Sequence, residues 1–233
     1  MKILEGKVLG VIGGMGPMAS NLFYKMVIDN TPAEKDQDHI NMIILNHATM
    51  PDRTAAIKAG DIEKVKEKLT ADAKFLETSG VCSIAAPCNT SHVMLDEIQH
   101  QVKVPLLNMI EETVKTIHGQ CETGQRIGIM ATDGTVEIGL YQKYLKAYGF
   151  DPYIPEPEIQ KMVMKFIYDN VKKGIPILDE DFAKVQKAFI AAGCSKVILG
   201  CTELSVYKEE KNLNEFYLDA MECLAKKAVS MCK

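Results

Sequence analysis

Apolar positions along this chain fall into short runs, separated by longer stretches in which apolar and polar residues alternate at helical spacing. The runs at 7–12, 40–46, 81–86, 104–108, 126–130 and 196–199 have the length and composition of buried strands. Between them the period lengthens. Ile62, Val65, Leu69, Ala73 and Leu76 recur on one helical face, which predicts a helix over 61–79. Helices are also predicted at 17–30, where Pro17 suits a first turn, and at 90–100, 110–118, 136–148, 159–172 and 181–192. A closing helix falls within 214–231, and Pro152, Pro155 and Pro157 mark a loop with room for one short strand. Strands alternating with helices predict an α/β fold, with parallel sheets covered by helices on their faces.

This pattern runs through twice. Gly80 opens an apolar strand, and Cys88 follows eight residues later with Asn89 and Thr90 behind it. Gly193 opens another, and Cys201 follows eight residues later with Thr202 and Glu203 behind it. The first strands correspond as well. Gly10-Val11-Ile12 leads into a Gly-rich turn, and Gly128-Ile129-Met130 leads into the turn Ala131-Thr132-Asp133-Gly134-Thr135. Agreement in order, spacing and exit residues implies duplication. The expected architecture is two pseudo-symmetric domains that face one another, each a mainly parallel sheet flanked by helices. The expected boundaries are 1–113 with 209–233 for a discontinuous first domain, and 114–208 for the second.

Composition changes this picture little. The 233 residues suffice for two cores, 47% are hydrophobic, and the formal charge is −4. No block of Lys or Arg points to a nucleic-acid partner; the stretch 64–68 interleaves Lys with Glu67 and reads as a solvated helix face. No apolar run reaches the roughly 20 residues a bilayer span needs. The segment 1–6 lacks a signal peptide's apolar region, so a cytoplasmic location without membrane contact is expected. Seven scattered cysteines, an odd number, do not make a disulfide framework. A free cysteine is by default a small buried hydrophobe, and that reading suits Cys82 and Cys194 within apolar strands.

Cys88 and Cys201 invite another reading. Ligands of open parallel sheets bind beyond the carboxyl ends of the strands, where both of these residues lie. Residue types that cap helices follow each one. A cysteine at a helix N-terminus meets partial positive charge, which predicts a lowered pKa and available thiolate. Two opposed thiols suit racemisation, in which one takes a proton from Cα and the other returns a proton to the opposite face.

Four segments in order, Gly13-Gly14-Met15-Gly16-Pro17, Met50-Pro51-Asp52-Arg53-Thr54, Pro87-Cys88-Asn89-Thr90-Ser91-His92 and Gly200-Cys201-Thr202-Glu203, resemble the aspartate/glutamate racemase family over nearly the whole chain. The resemblance implies an isomerase with two α/β domains and the active site in the cleft between them, no pyridoxal phosphate or other cofactor, no metal, a small acidic amino acid as its partner molecule, and a homodimer. It implies that Cys88 and Cys201 are the catalytic base and acid. It further implies that substrate is held near Met15, Asp52, Arg53, Asn89, Thr90, Thr132, Thr135, Lys172 and Thr202. Alignment near Lys172 needs a one-residue gap, which leaves Lys173 as the alternative. Family members often carry Thr where this chain has Asp133. Glutamate racemases usually open with Asp-Ser-Gly after the first strand, whereas this chain has Gly-Gly-Met-Gly, as aspartate-type members do. Aspartate is therefore the expected substrate, with glutamate or a broader range as alternatives.

Other readings compete. Gly14-Met15-Gly16-Pro17-Met18-Ala19 fits the dinucleotide fingerprint of a Rossmann-type oxidoreductase, yet the second strand ends at Asn46-His47 without the ribose-binding acid. Cys88 and His92 share a helical spacing that a metal site would use, but no second pair completes a set, and His92 reads better as orienting groups near the site. His47 reads as structural. A disulfide redox protein lacks C-x-x-C. A single-cysteine lyase of the same superfamily fits two cysteines poorly. A non-enzymatic module leaves the matched turn positions of Cys88 and Cys201 unexplained.

Overall fold

A computed structural model describes residues 4–233; residues 1–3, part of the amino-terminal segment read above, lie outside the described residues. The chain divides into two compact units. One runs up to Met109 and resumes at Met221–Lys233, and the other is Ile110–Ala220.

In the first unit, β1 (Val8–Gly13) is buried at every position and lies between two parallel partners, β2 (Asn41–Asn46) and β3 (Ser83–Ala85). A strand covered on both faces has no polar positions to spare, so it reads as a continuous apolar run. The covering helices include α1 (Pro17–Asn30), α2 (Arg53–Ala59), α3 (Glu63–Thr78) and α4 (Leu95–Gln99). Val65, Leu69, Ala73 and Leu76 of α3 are all buried, as their spacing predicts, and they share a core with Val8, Ile12 and Ile84. Full burial of each Val or Leu contributes roughly 1.5–3 kcal/mol.

α5 (Met109–His118) leads into the second unit. Here β4 (Arg126–Ala131) pairs in parallel with β5 (Asp151–Tyr153) and β6 (Cys194–Gly200), and β6 pairs with β7 (Tyr217–Asp219). The helices are α6 (Asp133–Ile138), α7 (Leu140–Ala147), α8 (Pro157–Lys165), α9 (Asp179–Ala191) and α10 (Thr202–Lys211). Phe182 anchors this core, with its ring centroid 4.8 Å from that of Tyr207 and 5.6 Å from that of Tyr217. α11 (Ala220–Cys232) then returns the chain to the first unit.

The two sheets have one topology. The orders are β2-β1-β3 and β5-β4-β6-β7, so the first strand of each unit is flanked by its second and third. The counterpart of β7 in the first unit is reduced to a single bridge between Ile84 and Leu106. The strand expected at 104–108 therefore does not form. Pro105 has no N–H to donate, and the side chain of Gln99 takes the N–H of Leu106 at 2.7 Å.

Other differences have local causes. The helix expected at 136–148 breaks into α6 and α7 because Gly139 adopts φ 75°. The helix expected at 90–100 is a 3₁₀ turn, Thr90–Met94, followed by α4. The helix expected to reach 172 ends as α8 at Lys165, then continues as a π turn, Phe166–Asn170, and a 3₁₀ turn, Val171–Lys173. α2, α10 and β7 had no clear hydrophobic period. α10 buries Thr202, Glu203 and Ser205 beside Leu204 and Tyr207, so a polar/apolar count hides its inner face.

The turn after β1 explains the Gly-rich motif. Gly14 has φ +87°, and a Cβ there would lie 2.5 Å from the backbone of His47. The N–H of His47 donates to the Gly13 carbonyl at 3.2 Å, and the Gly14 N–H donates to Ser20 Oγ at 2.8 Å. The second strand's own exit fills the space beside Gly14, where a dinucleotide fingerprint would admit a pyrophosphate. Gly14→Ala is expected to lower the urea unfolding midpoint far more than Gly60→Ala. Gly60 also has positive φ, but nothing lies within 4 Å of its Cβ position, so it should lose only about 1 kcal/mol. Equal midpoints for the two variants would refute this account of the turn.

Candidate active site

Parallel pairing brings the carboxyl ends of β1, β2 and β3 to one edge of the first sheet. Cys88 follows β3 by three residues and is buried, and its N–H donates to the Ala86 carbonyl at 2.7 Å. Its own carbonyl accepts from Ser91 Oγ at 2.7 Å and pairs with His92 Nδ1 at 2.9 Å. His92 Nε2 accepts from the Met109 N–H at 3.1 Å, so Nδ1 carries the proton that bonds Cys88. Burial holds this imidazole below the ordinary histidine range, in keeping with a neutral ring. His92 thus pins the Cys88 loop to the start of α5. Asn89 and Thr90, also buried, begin the 3₁₀ turn behind the thiol.

The motif Pro51-Asp52-Arg53 opens α2. Asp52 is the N-cap, with Oδ1 accepting from the Ala55 N–H at 2.8 Å. Arg53 donates to the Pro51 carbonyl at 2.9 Å and to the Met15 carbonyl at 3.3 Å. Its fork is therefore tied to the turn after β1. Met15 is buried beneath it. His47 is held by Asp72 of α3 at 2.7 Å, a structural contact of the kind expected.

The second unit repeats the arrangement. Cys201 directly follows β6 and is the N-cap residue of α10. Thr132 caps α6, with its Oγ1 accepting from the Thr135 N–H at 3.4 Å and lying 3.2 Å from the Thr135 hydroxyl. Asp133 accepts from Gln160 Nε2 at 2.9 Å. Thr202 is buried at the first turn of α10.

One side chain beside Cys201 is not among the site residues expected from the sequence. Glu203 is buried, and its Oε2 accepts a hydrogen bond from Cys201 Sγ at 2.9 Å. Lys172 Nζ lies 3.9 Å from Glu203 Oε1 and 4.0 Å from the Tyr168 ring centroid. Lys173, by contrast, pairs with Asp169 at 2.7 Å on the surface. Lys172 is the lysine that reaches the Cys201 end of the sheet. The advance signals for Glu203 were its place two residues after the cysteine and its inclusion in the segment Gly200-Cys201-Thr202-Glu203.

This environment overturns the expected lowering of the Cys201 pKa. Burial and the Glu203 carboxylate raise it well above its ordinary value, against a smaller lowering by Lys172. A helix N-terminus contributes typically 0.3–1 kcal/mol, less than the shift of one pKa unit, whereas full burial can move a group several units. Desolvation and like charge win. At Cys88, a 3₁₀ turn with Asn89 at its N-cap follows the cysteine, so the long helix invoked for that thiol is absent too.

Among the described residues, no group of three or more His, Cys, Asp and Glu is arranged to hold a metal ion, and no helix is long and apolar enough to cross a membrane.

Comparison with known proteins accords with this geometry. The broad specificity amino-acid racemase RacX of Bacillus subtilis (strain 168) is 29% identical over 227 residues, covering 96% of this chain and 97% of that protein. The structure of Picrophilus torridus aspartate racemase is similar with a TM-score of 0.79 and 29% identity, covering 97% of this chain and 94% of that one. An aspartate racemase homologue from Pyrococcus horikoshii OT3 shares the fold, with a TM-score of 0.78 at 24% identity over 97% of this chain and 99% of that one. The model of the Asp/Glu/Hydantoin racemase family matches residues 12–228. The chain belongs to the Asp/Glu/Hydantoin racemase family, and with it to the racemases, a class of isomerase.

Proposed function

We propose that the chain interconverts the L and D forms of a small acidic amino acid, aspartate, without a cofactor, and that Cys88 and Cys201 are its acid–base pair. The observation that supports this best is topological. In two sheets whose first three strands share one order, each thiol leaves the carboxyl end of the third strand, beside the first, and each is buried with a Thr close behind it in sequence.

Racemisation requires a base at one face of Cα and an acid at the other. Cys201 is suited to start as the acid. With its pKa raised, it stays a thiol through neutral pH and gives up its proton only as the solution becomes strongly alkaline. Cys88 takes the Cα proton in that direction. After that turnover Cys201 is the thiolate and Cys88 the thiol, so in the reverse direction Cys201 takes the Cα proton and Cys88 returns one to the opposite face. Arg53 and Lys172 serve the two carboxylates of the substrate, one by a fork and one as a point charge. Aspartate is favoured by the Gly-Gly-Met-Gly turn and by the likeness to the Picrophilus enzyme. Broad specificity is a second reading, favoured by the near-full-length likeness to RacX.

Cα deuterium exchange in D₂O, followed by NMR with separate L and D forms of aspartate, glutamate and a panel of neutral amino acids, tests both readings. Exchange confined to aspartate supports the first, and exchange across the panel the second. No exchange with any of them rejects the proposal. Cys88→Ser and Cys201→Ser are each expected to lower racemisation by about 10²–10⁴-fold.

Glu203→Gln removes a charge that raises the Cys201 pKa. At pH 8 a larger fraction of this thiol should then be ionised, and iodoacetamide should label Cys201 severalfold faster than in the parent. Unchanged or slower labelling would contradict the role given to Glu203. Lys172→Met should raise KM for aspartate by about 10–100-fold, the equivalent of a charge-assisted contact of roughly 1.5–3 kcal/mol. Lys173→Met should leave KM near the parent value, and the opposite ranking would exchange the two lysines' roles.

A further inference from the structure

Two cysteines outside this site form a pair. Cys82 directly precedes β3, and Cys232 is the last residue of α11. They lie 150 positions apart in sequence, yet their sulfurs are 3.1 Å apart, and the Ser83 hydroxyl is 3.2 Å from the Cys232 sulfur. Cys82 was expected to be ordinary core. It is instead half-buried at the mouth of β3, while Cys232 is buried beneath it. Both ends are well held. The Cys82 N–H donates to the Val8 carbonyl at 2.8 Å, and Lys233 donates to the carbonyls of Pro32 and Asp38 at 2.6 and 2.7 Å. The sulfurs therefore need little backbone movement to meet.

We propose that Cys82 and Cys232 are a peroxide-sensitive dithiol that closes to a disulfide, tying the returning helix α11 to the sheet of the first unit. The oxidant is a hydroperoxide. The more exposed Cys82, as thiolate, attacks the peroxide; the O–O bond breaks, hydroxide leaves and Cys82 becomes a sulfenic acid. The Cys232 sulfur then attacks the sulfenic sulfur, its proton leaves with the departing oxygen as water, and the S–S bond forms. One peroxide is reduced and two thiols are oxidised by two electrons in all. Burial pushes the Cys232 thiol up to about 12, which suits the resolving partner better than the thiol that first attacks the peroxide. The chain between the two cysteines includes the entire second unit, so the bond would close a loop of about 150 residues and hold α11 against the sheet of the first unit.

The test treats the purified full chain with graded hydrogen peroxide, blocks remaining thiols, and digests with trypsin without reductant. The expected product has lost two hydrogens and yields a cross-link between peptide 75–103 and peptide 228–233. Cys88 shares the first peptide, so fragmentation must place the bond on Cys82. Cys232→Ser should abolish the cross-link and leave Cys82 trappable by dimedone as a sulfenic acid. Oxidised parent protein should melt roughly 5 °C or more above the reduced form, and dithiothreitol should reverse the shift. A cross-link to Cys88, no 82–232 cross-link at peroxide levels that oxidise other thiols, or oxidation of Cys82 with Cys232 left free would each overturn the proposal. None of these readouts depends on racemase activity.

Discussion

Parallel pairing of the first strand with the third, β1 with β3 and β4 with β6, is the constraint on which the chemistry of this chain depends. Parallel strands end on the same edge, so the turns after β1, β2 and β3 converge whatever their separation in sequence. Arg53 can reach the Met15 carbonyl, and His47 the Gly13 carbonyl, because the pairing has already brought those turns together. The same holds in the second unit. There the ends of β6 and β7 place Cys201 and Asp219 about α10, and Asp219 accepts from Ser205 Oγ at 2.7 Å.

The close approach of these turns has a steric price. Gly14 leaves no room for a Cβ against the exit of β2, so the motif that resembles a nucleotide fingerprint serves backbone against backbone. A Gly-rich turn is permissive rather than specific. What fills the space it opens is settled by the neighbouring strand.

Electrostatics in the second unit follow the same logic of neighbours. A helix N-terminus beside a thiol argues for thiolate only if the thiol also keeps its solvation. Cys201 does not: it is buried and faces a carboxylate two residues ahead on the first turn of α10. The two cysteine sites are alike in topology and unlike in surroundings. Cys88 has its carbonyl held by Ser91 and a neutral His92, whereas Cys201 has its sulfur held by Glu203. The two units share the order of their first three strands, and the residues of each turn give the two thiols different surroundings.

Much of this was legible without coordinates. Continuous apolar runs marked β1, β4 and β6 because strands covered on both faces must be apolar throughout, and the period of α3 was clear because one face meets a core and the other water. Equal spacing from Gly80 to Cys88 and from Gly193 to Cys201 carried the duplication and singled out two thiols of seven. Elements whose inner faces are polar, such as α10, and the single bridge at Leu106 left no such trace. The sequence by itself determined which strands are buried, that the pattern repeats, and which cysteines end up at strand exits, since hydrophobic period and spacing are local properties of the chain. Only the tertiary structure decided that burial and Glu203 raise the Cys201 pKa, that Lys172 rather than Lys173 turns toward Glu203, and that Cys82 touches Cys232, because desolvation and contact depend on neighbours that no local pattern encodes.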